Sequence, residues 1–298
     1  MNTWVRFAVV LGSLPLMASV ERLPSPEGSR SRLQPAGQAS RPEANGPYDA
    51  PGTFSIVGYD PETGAVGAAV QSRVFSVGNG VIWAEAGVGA VATQAVVDVS
   101  YGPKAMDLLK QGMAPKDIIK KVWESDPDPR QQGWAKTGRQ FAVMNTKGEV
   151  AAYTGPTAPT ESGDAQGKYC SAQGNTLGRP DGVWPPKDGM QPSKVPAAMV
   201  AGFENSEFQK NPDGSNGRRN HLSLRLVAAL EAGQAAGGDH RGQQSAALII
   251  VKKDAGVWLH NDVVLRLQVD DNPEPIKELR RLVEMSPPVR AGRGRGGN

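Results

Sequence analysis

TFSIVGYDPETGAVGAAVQSR, at Thr53–Arg73, is the stretch that decides the fold class. Its opening run, TFSIVGYD, alternates with a period of two, which is typical of a β-strand. DPETG then supplies a turn, and AVGAAVQS follows as a second strand. This stretch therefore predicts an antiparallel β-hairpin at the start of the folded part of the chain.

The rest of the folded part divides into groups of strands and groups of helices. Strand patterns occur in VIWAEAG, VGAVATQAVV, the hairpin RQFAVMNTKGEVAAYTG, SAALIIVKK, GVWLH and VVLRLQV. Helical spacing occurs in YGPKAMDLLKQG, APKDIIKKVWES, PAAMVAGFENSEF, LSLRLVAALEAG and PEPIKELRRLVEM. Groups of strands and helices in this order favour a layered α+β domain, with helices covering packed sheets, over an alternating βαβ fold.

The chain of 298 residues is predicted to hold one domain between two unfolded ends. Residues 1–20 contain Arg6 and then FAVVLGSLPLMASV, which is shorter than the about 20 apolar residues of a bilayer span but suits a signal-peptide core. Residues 21–52 predict a disordered linker or pro-segment, 53–285 the domain, and 286–298 a Gly/Arg-rich disordered tail. We therefore expect export to the periplasm or the medium without a transmembrane anchor, unless the start codon is misassigned.

Charge and cysteine content limit the expected partners. The net charge of +3 comes from the leader, linker and tail, so the domain is close to neutral and has no basic field for phosphates. We therefore expect no nucleic-acid partner for the domain. The single cysteine, Cys170, cannot form an intramolecular disulfide, and we interpret it as a small buried residue rather than a nucleophile.

Neither a metal nor a cofactor is predicted. His221, His240 and His260 share no metal-ligand spacing, although a pocket could gather His240, His260 and Asp262. The sequence has no P-loop, no G-x-S-x-G elbow and no dinucleotide-binding glycine motif after a strand. Asp126 and Asp128 adjoin prolines and are interpreted as turn residues.

Gly52-Thr53 lies where the linker meets the first strand, and cleavage there would make Thr53 an N-terminal residue. Such a threonine carries a hydroxyl nucleophile and an α-amine. Because a model α-amine titrates near about 7.7 to 8.0, it can serve as general base for its own hydroxyl without a histidine. Gly-Thr before a strand is also a common sequence, so residue chemistry alone leaves an ordinary strand start as the alternative.

Several long runs resemble the domain of unknown function 1028 family of bacterial and archaeal proteins, which is grouped with the N-terminal nucleophile (Ntn) hydrolases. The runs are TFSIVGYDPETGAVGAAVQSR, WAEAGVGAVATQA, SYGPKAMDLL, SAQGN and LEAGQAAGGDHRGQQSAALIIV. The resemblance covers nearly all of 53–285 and implies a four-layer αββα sandwich. Family members begin Met-Thr-Phe-Ser-Ile, so that removal of Met leaves Thr first, whereas here a leader and linker precede Thr53.

The start of the domain is also similar to the opening of proteasome β-subunits, with Gly-Thr, a hairpin and a small-residue strand that ends in D-x-R. In this sequence the Asp position of that motif is Gln71 and the Arg position is Arg73. The catalytic lysine of that family has no convincing counterpart. These departures from the proteasome pattern argue against a proteasome-like peptidase mechanism.

The hypothesis built on these resemblances gives Thr53 the role of nucleophile and its freed amine the role of base. Arg73, with Ser72, would position or polarise the nucleophile, and a donor around Asn175 and Gly89 would stabilise the oxyanion. One such donor is worth about 3 to 4 kcal/mol, so Asn175→Ala is expected to slow turnover about a hundred-fold or more. Further substrate-pocket candidates are Gln94, Arg139, Gln140 and Asp239.

Structural and functional alternatives stay open. Arg139 and Asp239 could form a structural pair, and Gln94 could satisfy buried backbone. The expected function is an exported amide hydrolase without a cofactor that acts on a small amide or peptide-like substrate, and such domains often form homo-oligomers. The alternatives are a non-catalytic module that binds cell-wall material or a small ligand on the same fold, and a scaffold whose extension permanently blocks Thr53.

Overall fold

The structure of the chain is a computed structural model, and it describes residues 52–128, 135–183 and 192–289. The predicted signal peptide, the predicted linker apart from Gly52, and residues 290–298 of the predicted tail lie outside the described residues. Within the three described ranges, no helix has both the length and the apolar content needed to cross a membrane.

The described residues form a mixed α+β fold whose strands pair in antiparallel fashion. The strands are β1 (Thr53–Asp60), β2 (Ala65–Ser72), β3 (Ile82–Glu85), β4 (Gly89–Ala95), β5 (Arg139–Asn145), β6 (Val150–Thr154), β7 (Gly163–Gly167), β8 (Cys170–Asn175), β9 (Phe208–Lys210), β10 (Asn216–Arg219), β11 (Ser245–Val251) and β12 (Val263–Val269). The helices are α1 (Tyr101–Lys110), α2 (Pro115–Glu124), α3 (Val195–Asn205), α4 (Leu222–Ala235) and α5 (Pro275–Met285), with short 3₁₀ turns at Val77–Asn79 and Lys136–Gly138.

The predicted hairpin is confirmed and lies at the centre of the larger sheet. Thr53 lies opposite Ser72, and Asp60 lies opposite Ala65. The turn between them contains Gly64 at φ 74°, a left-handed conformation that glycine adopts without steric cost. The six-stranded sheet has the order β12-β11-β2-β1-β8-β7, so β1 and β2 are hydrogen-bonded on both edges.

A second sheet has four strands in the order β3-β4-β5-β6, and β9 and β10 form a separate two-stranded ribbon. Helices α3, α4 and α5 pack on one face of the six-stranded sheet through a cluster that includes Phe54 and Leu226. The other face meets the four-stranded sheet at Val57 and Ala142. Helices α1 and α2 pack on the outer face of the four-stranded sheet at Phe141. Both faces of β1 are therefore buried.

Cys170 is fully buried in the cluster beneath α3, α4 and α5, which confirms its interpretation as a buried residue. Burial raises the pKa of its thiol to about 12. The same cluster also contains Val289, so packed residues extend to the last position that the structure describes.

One predicted strand is wrong. Residues 256–260, GVWLH, belong to the turn between β11 and β12. The backbone N–H of Gly256 donates to the Asn261 carbonyl at 2.6 Å, and His260 has a left-handed φ of 59°, so the chain reverses here. Trp258 is 76% exposed and Leu259 is 92% exposed. The run has the apolar composition of a strand, but its large side chains are exposed to solvent rather than packed against the core.

Candidate active site

A row of polar side chains closes one end of the six-stranded sheet. Thr53, the first residue of β1, lies opposite Ser72 on β2 and Asn175 on β8, and Ser72 lies opposite Ser245 on β11. Directly paired residues of an antiparallel sheet point to the same face. Val57 shares this face by its even spacing from Thr53, and Val57 packs against the four-stranded sheet. The Thr53 side chain therefore points into the space between the two sheets.

The Thr53 hydroxyl belongs to a hydrogen-bond chain that ends on the preceding carbonyl. It donates to Ser72 Oγ at 3.0 Å, and the Ser72 hydroxyl donates to the carbonyl oxygen of Gly52. Nη2 of Arg241 donates to the same oxygen at 2.8 Å. The carbonyl of the Gly52–Thr53 peptide bond thus accepts two hydrogen bonds, one of them from a cation, beside the Thr53 hydroxyl. Such donors stabilise negative charge on a carbonyl oxygen when its carbon is attacked.

Asp239 fixes Arg241 and restricts the space at position 52. Its carboxylate accepts hydrogen bonds from Arg241 at the backbone nitrogen (2.9 Å), at Nε (3.1 Å) and at Nη2 (2.7 Å). The backbone N–H of Arg73 also donates to it at 3.2 Å. A Cβ added to Gly52 would lie 2.7 Å from one carboxylate oxygen of Asp239, so only glycine fits this position without a shift.

The predicted candidates Arg73 and Asp239 therefore both act on the segment that holds Arg241. The Arg73 guanidinium donates to the Arg241 carbonyl oxygen, and Asp239 binds the Arg241 guanidinium. Sequence reasoning did not select Arg241, although its position two residues after Asp239 and before a buried strand is the signal that could have found it.

Two buried amide side chains bind the main chain of Thr53, and a third, Gln140, binds both of them. Nε2 of Gln94 donates to the Thr53 carbonyl at 3.0 Å and to Oε1 of Gln140 at 2.9 Å. Nδ2 of Asn175 donates to the same two atoms at 3.4 Å and 3.3 Å. The Ser55 hydroxyl donates to Oε1 of Gln94 at 2.6 Å. Gln94 therefore satisfies a buried backbone carbonyl, which was the structural alternative to a role in the substrate pocket. That carbonyl belongs to Thr53.

These amides join the two sheets at the candidate site. Gln94 and Gln140 lie opposite each other on β4 and β5, and Asn175 lies on β8 of the other sheet. Oδ1 of Asn175 is one of several buried side-chain atoms without a hydrogen-bond partner in the part of the chain that the structure describes, so this feature does not by itself mark the site.

A cavity of about 190 Å³ adjoins Thr53. Its polar lining residues are Thr53, Ser76 and Gln94, and the rest of the wall comes mainly from valines in residues 74–81 and 95–99. The nucleophile candidate therefore lies at the boundary between a buried polar cluster and an apolar cavity, an arrangement common in small-molecule sites.

Arg139 lies apart from this site. Its Nε donates to Oδ2 of Asp126 at 2.9 Å and its Nη1 to the Val96 carbonyl at 2.7 Å, while the Tyr101 hydroxyl donates to the same Asp126 oxygen at 2.7 Å. Burial raises the pKa of Asp126, but hydrogen bonds from Arg139 and Tyr101 outweigh it and hold that pKa below its ordinary range. The alternative of an Arg139–Asp239 pair is wrong, because each residue has another partner. Asp126, interpreted as a turn residue, is also a buried ion-pair partner.

Gly89 is not brought to Thr53 either. It begins β4 opposite Asn145, whereas Gln94 lies near the other end of the strand opposite Gln140. At about 3.4 Å per residue, roughly 17 Å of strand separates Gly89 from Gln94. A Cβ at Gly89 would lie 2.1 Å from the Met144 carbonyl oxygen, so close packing of β4 against β5 explains why this position is a glycine.

The family model that matches residues 53–279 describes a family of unknown function, DUF1028. The chain belongs to this family. Among solved structures, it is similar to the crystal structure of the DUF1028 protein SPO2555 from Silicibacter pomeroyi, with 28% sequence identity and a TM-score of 0.61. The similarity covers 78% of this chain and 85% of that chain. No protein with a curated description matches the chain.

The DUF1028 match begins at Thr53, the residue on which the hydrogen bonds of the site converge. Three non-glycine residues around this site have left-handed backbones: Ser76 at φ 54°, Ala95 at φ 67° and Thr176 at φ 53°. Ala95 follows Gln94 directly, and Thr176 follows Asn175. Such conformations cost about 1–3 kcal/mol each. Five other non-glycine residues that the structure describes adopt them elsewhere, so they do not by themselves single out this end of the DUF1028 domain.

The histidines of this DUF1028 protein lie in separate places. Nδ1 of His221 accepts a hydrogen bond from the Ser223 backbone at the start of α4, and His240 and His260 are exposed. In the part of the chain that the structure describes, no three His, Cys, Asp or Glu side chains are grouped closely enough to hold a metal ion.

Proposed function

We propose that the protein is an exported amide hydrolase of the Ntn type, in which processing at Gly52–Thr53 frees Thr53 as the nucleophile. The observation that carries the proposal is the hydrogen-bond chain from the Thr53 hydroxyl through Ser72 to the Gly52 carbonyl, with Arg241 on the same oxygen. This chain places donors on the one carbonyl whose cleavage would free the α-amine of Thr53.

The arrangement of the elements supports the fold part of the proposal. Two sheets face each other, with α3, α4 and α5 on one outer face and α1 and α2 on the other. This order is compatible with the four-layer αββα sandwich of the Ntn hydrolases. Thr53 is the first residue of the first strand and faces the space between the sheets, so processing would leave it at the amino terminus of the chain.

The chemistry of processing can be written with the residues in place. The Thr53 oxygen attacks the Gly52 carbonyl carbon, and the resulting oxyanion is held by Ser72 and Arg241. The C–N bond then breaks, and the Gly52 acyl group stays on the Thr53 oxygen as an ester. The proton that the hydroxyl loses passes to the Thr53 nitrogen, which becomes an amine. Water hydrolyses the ester, which leaves a carboxylate on Gly52 and a free amine and hydroxyl on Thr53.

In the processed chain the Thr53 amine acts as general base for the Thr53 hydroxyl, since an α-amine titrates near about 7.7 to 8.0. Gln94 and Asn175 position the nucleophile through its carbonyl. In this proposal Asn175 therefore acts through Thr53, and Ser72 with Arg241 supplies the donors next to the reacting carbon. The substrate class is a small amide or peptide-like compound.

A non-catalytic module that binds cell-wall material or a small ligand is the second candidate. It is favoured by the burial of Thr53, which is 3% exposed while the Gly52–Thr53 bond is intact. In that state a cavity is present but the α-amine is not.

Intact mass and N-terminal sequencing of the protein recovered from its native compartment test the proposal. The expected mature chain begins at Thr53 in the parent and in the matched control Thr63→Ala, whose threonine lies in the exposed β1–β2 turn. Thr53→Ala is expected to keep a longer chain that begins near residue 20. A parent chain that stays uncut and inert toward an amide library would refute the proposal, as would Thr53→Ala retaining both cleavage and activity.

A further inference from the structure

The cavity beside Thr53 differs in chemistry from the polar cluster on its other side. Besides Thr53 and Gln94, its walls come from three segments: 74–77 after β2, Gly80 and Val81 after the 3₁₀ turn, and alternate residues of 95–99 at the end of β4 and beyond it. Val77 and Val81 are buried, whereas Phe75 is 67% exposed at the rim. The cavity therefore has an apolar floor and an accessible mouth.

The lining also limits the charge of an occupant. Apart from Thr53, its polar members are Ser76 and Gln94, and among the described residues that line it none is charged. Arg73 and Asp98 adjoin lining residues in sequence but do not line the cavity. Burying an ionised group without a partner costs several kcal/mol, so the cavity selects against charged groups.

The volume limits the size of an occupant. A cavity of about 150 Å³ lined by aliphatic and aromatic side chains is large enough to bind benzene. The present cavity, at about 190 Å³, therefore accommodates a phenyl ring or a branched aliphatic group of similar size. It does not accommodate a large ring system without movement of its walls.

We propose that this cavity binds a neutral apolar group, of phenyl or leucyl size, that flanks the scissile bond of the amide substrate. The inference rests on the proposed function, because it takes Thr53 as the residue that attacks the substrate carbonyl. Thr53 and the cavity share a wall, so an apolar group in the cavity brings the adjoining carbonyl to the threonine hydroxyl. The substrate is thus an amide with a hydrophobic acyl or aminoacyl group.

Binding can be tested without catalysis in the Thr53→Ala chain. The probe is phenylacetamide, titrated into protein with ¹³C-labelled methyl groups and followed by NMR. Methyl shifts at Val77, Val81 and Val99 are expected. Acetamide, which is too small, and succinamate, which carries a carboxylate, are expected to bind at least ten-fold more weakly. Absence of shifts at saturating phenylacetamide, or equal binding of succinamate, would overturn the inference.

Gly80→Leu is the variant that fills the cavity. Gly80 and Val99 both line the cavity, and a Cβ at Gly80 would lie 3.1 Å from Val99 Cγ1, so a leucine side chain there displaces Val99 slightly and takes up cavity volume. Binding of phenylacetamide is expected to weaken at least ten-fold. Ala197→Leu, at an exposed position of α3, is the matched control and should bind as the parent does. Phe75→Ala removes an exposed wall, so its folding is not in question, and it too should weaken binding; unchanged binding in both cavity variants contradicts the inference.

The two proposals fail in different ways. If phenylacetamide binds the cavity but the chain is never processed and hydrolyses no amide, the proposed function fails and the binding site stands. If the processed chain hydrolyses only amides with charged or very small groups, and Gly80→Leu leaves that turnover unchanged, the apolar site fails and the hydrolase stands.

Discussion

Gly52 provides the sharpest test of the site, because its place in the structure leaves no room for a side chain. In Gly52→Ala the new Cβ would lie 2.7 Å and 2.8 Å from the two carboxylate oxygens of Asp239. Optimal separation of non-bonded heavy atoms is about 3.5 Å, so the carboxylate must retreat by roughly 0.8 Å. That carboxylate is not a flexible chain end, since Arg241 and Arg73 donate four hydrogen bonds to it.

The expected cost follows from this restraint. Overpacking of a well-packed site costs about 1–3 kcal/mol. For a domain of this size, each kcal/mol lowers the melting temperature by roughly 2–4 °C. Because the same movement displaces Arg241 from the Gly52 carbonyl, Gly52→Ala is also expected to slow processing when Thr53 is present.

The free energy of unfolding should be measured by urea titration of the full chain in the Thr53→Ala background, where the Gly52–Thr53 bond stays intact. Gly52→Ala is introduced with and without Asp239→Ala. The cost should be about 1–3 kcal/mol with Asp239 present and under about 0.5 kcal/mol without it, since the two positions are in contact. Gly163→Ala, where an added Cβ meets nothing within 4 Å, is the control and should be nearly neutral. An equal cost of Gly52→Ala with and without Asp239 would refute the reasoning.

Three further predictions concern buried groups away from Thr53. Asp126→Asn leaves Arg139 buried without its countercharge and should lower the free energy of unfolding by about 3–5 kcal/mol; a loss under about 1 kcal/mol in urea would show that the pair is not buried in solution. Because the folded pKa of Asp126 lies below its unfolded value of about 3.9, the stability from this carboxylate is present above that value and is lost as the pH falls through the folded pKa; acid titration of the unfolding free energy should show this component in the parent and not in Asp126→Asn. Cys170, whose pKa burial raises to about 12, should resist iodoacetamide at pH 8 in the native protein and react on unfolding, and rapid labelling of the native protein would contradict its burial.

The core of the fold was predictable because its pattern is local. TFSIVGYD and AVGAAVQS give the exact bounds of β1 and β2, since period-two alternation and the intervening turn are both encoded in consecutive residues. The same local signals mislead at GVWLH, where Trp258 is apolar but exposed. Hydropathy records which side chains could be buried, and only the tertiary structure decides which of them are.

Strand β8, CSAQGN, shows the opposite failure. Its polar side chains conceal a fully buried strand, and it was not predicted as one. Gln173 donates to the Ala92 carbonyl, and Asn175 donates to the Thr53 carbonyl. These hydrogen bonds to other strands offset part of the desolvation cost of burying the two amides. The cost of burying each amide is offset by a partner far away in sequence, and a local pattern cannot register that partner.

The site candidates were separated by strand parity rather than by residue type. Arg139 and Gln140 are neighbours in sequence, yet Gln140 points toward Thr53 while Arg139 points to the opposite face and pairs with Asp126. A shift of one residue in the register of β5 would exchange these two roles, because successive side chains of a strand lie on opposite faces. Register depends on pairing along the whole of β5, so residue chemistry alone could not choose between a guanidinium and an amide beside Thr53. The choice has a chemical consequence: a neutral amide next to Thr53 leaves Arg241 as the described cation on the Gly52 carbonyl, which is why removal of the Arg241 charge, rather than that of Arg139, should slow processing at Gly52–Thr53.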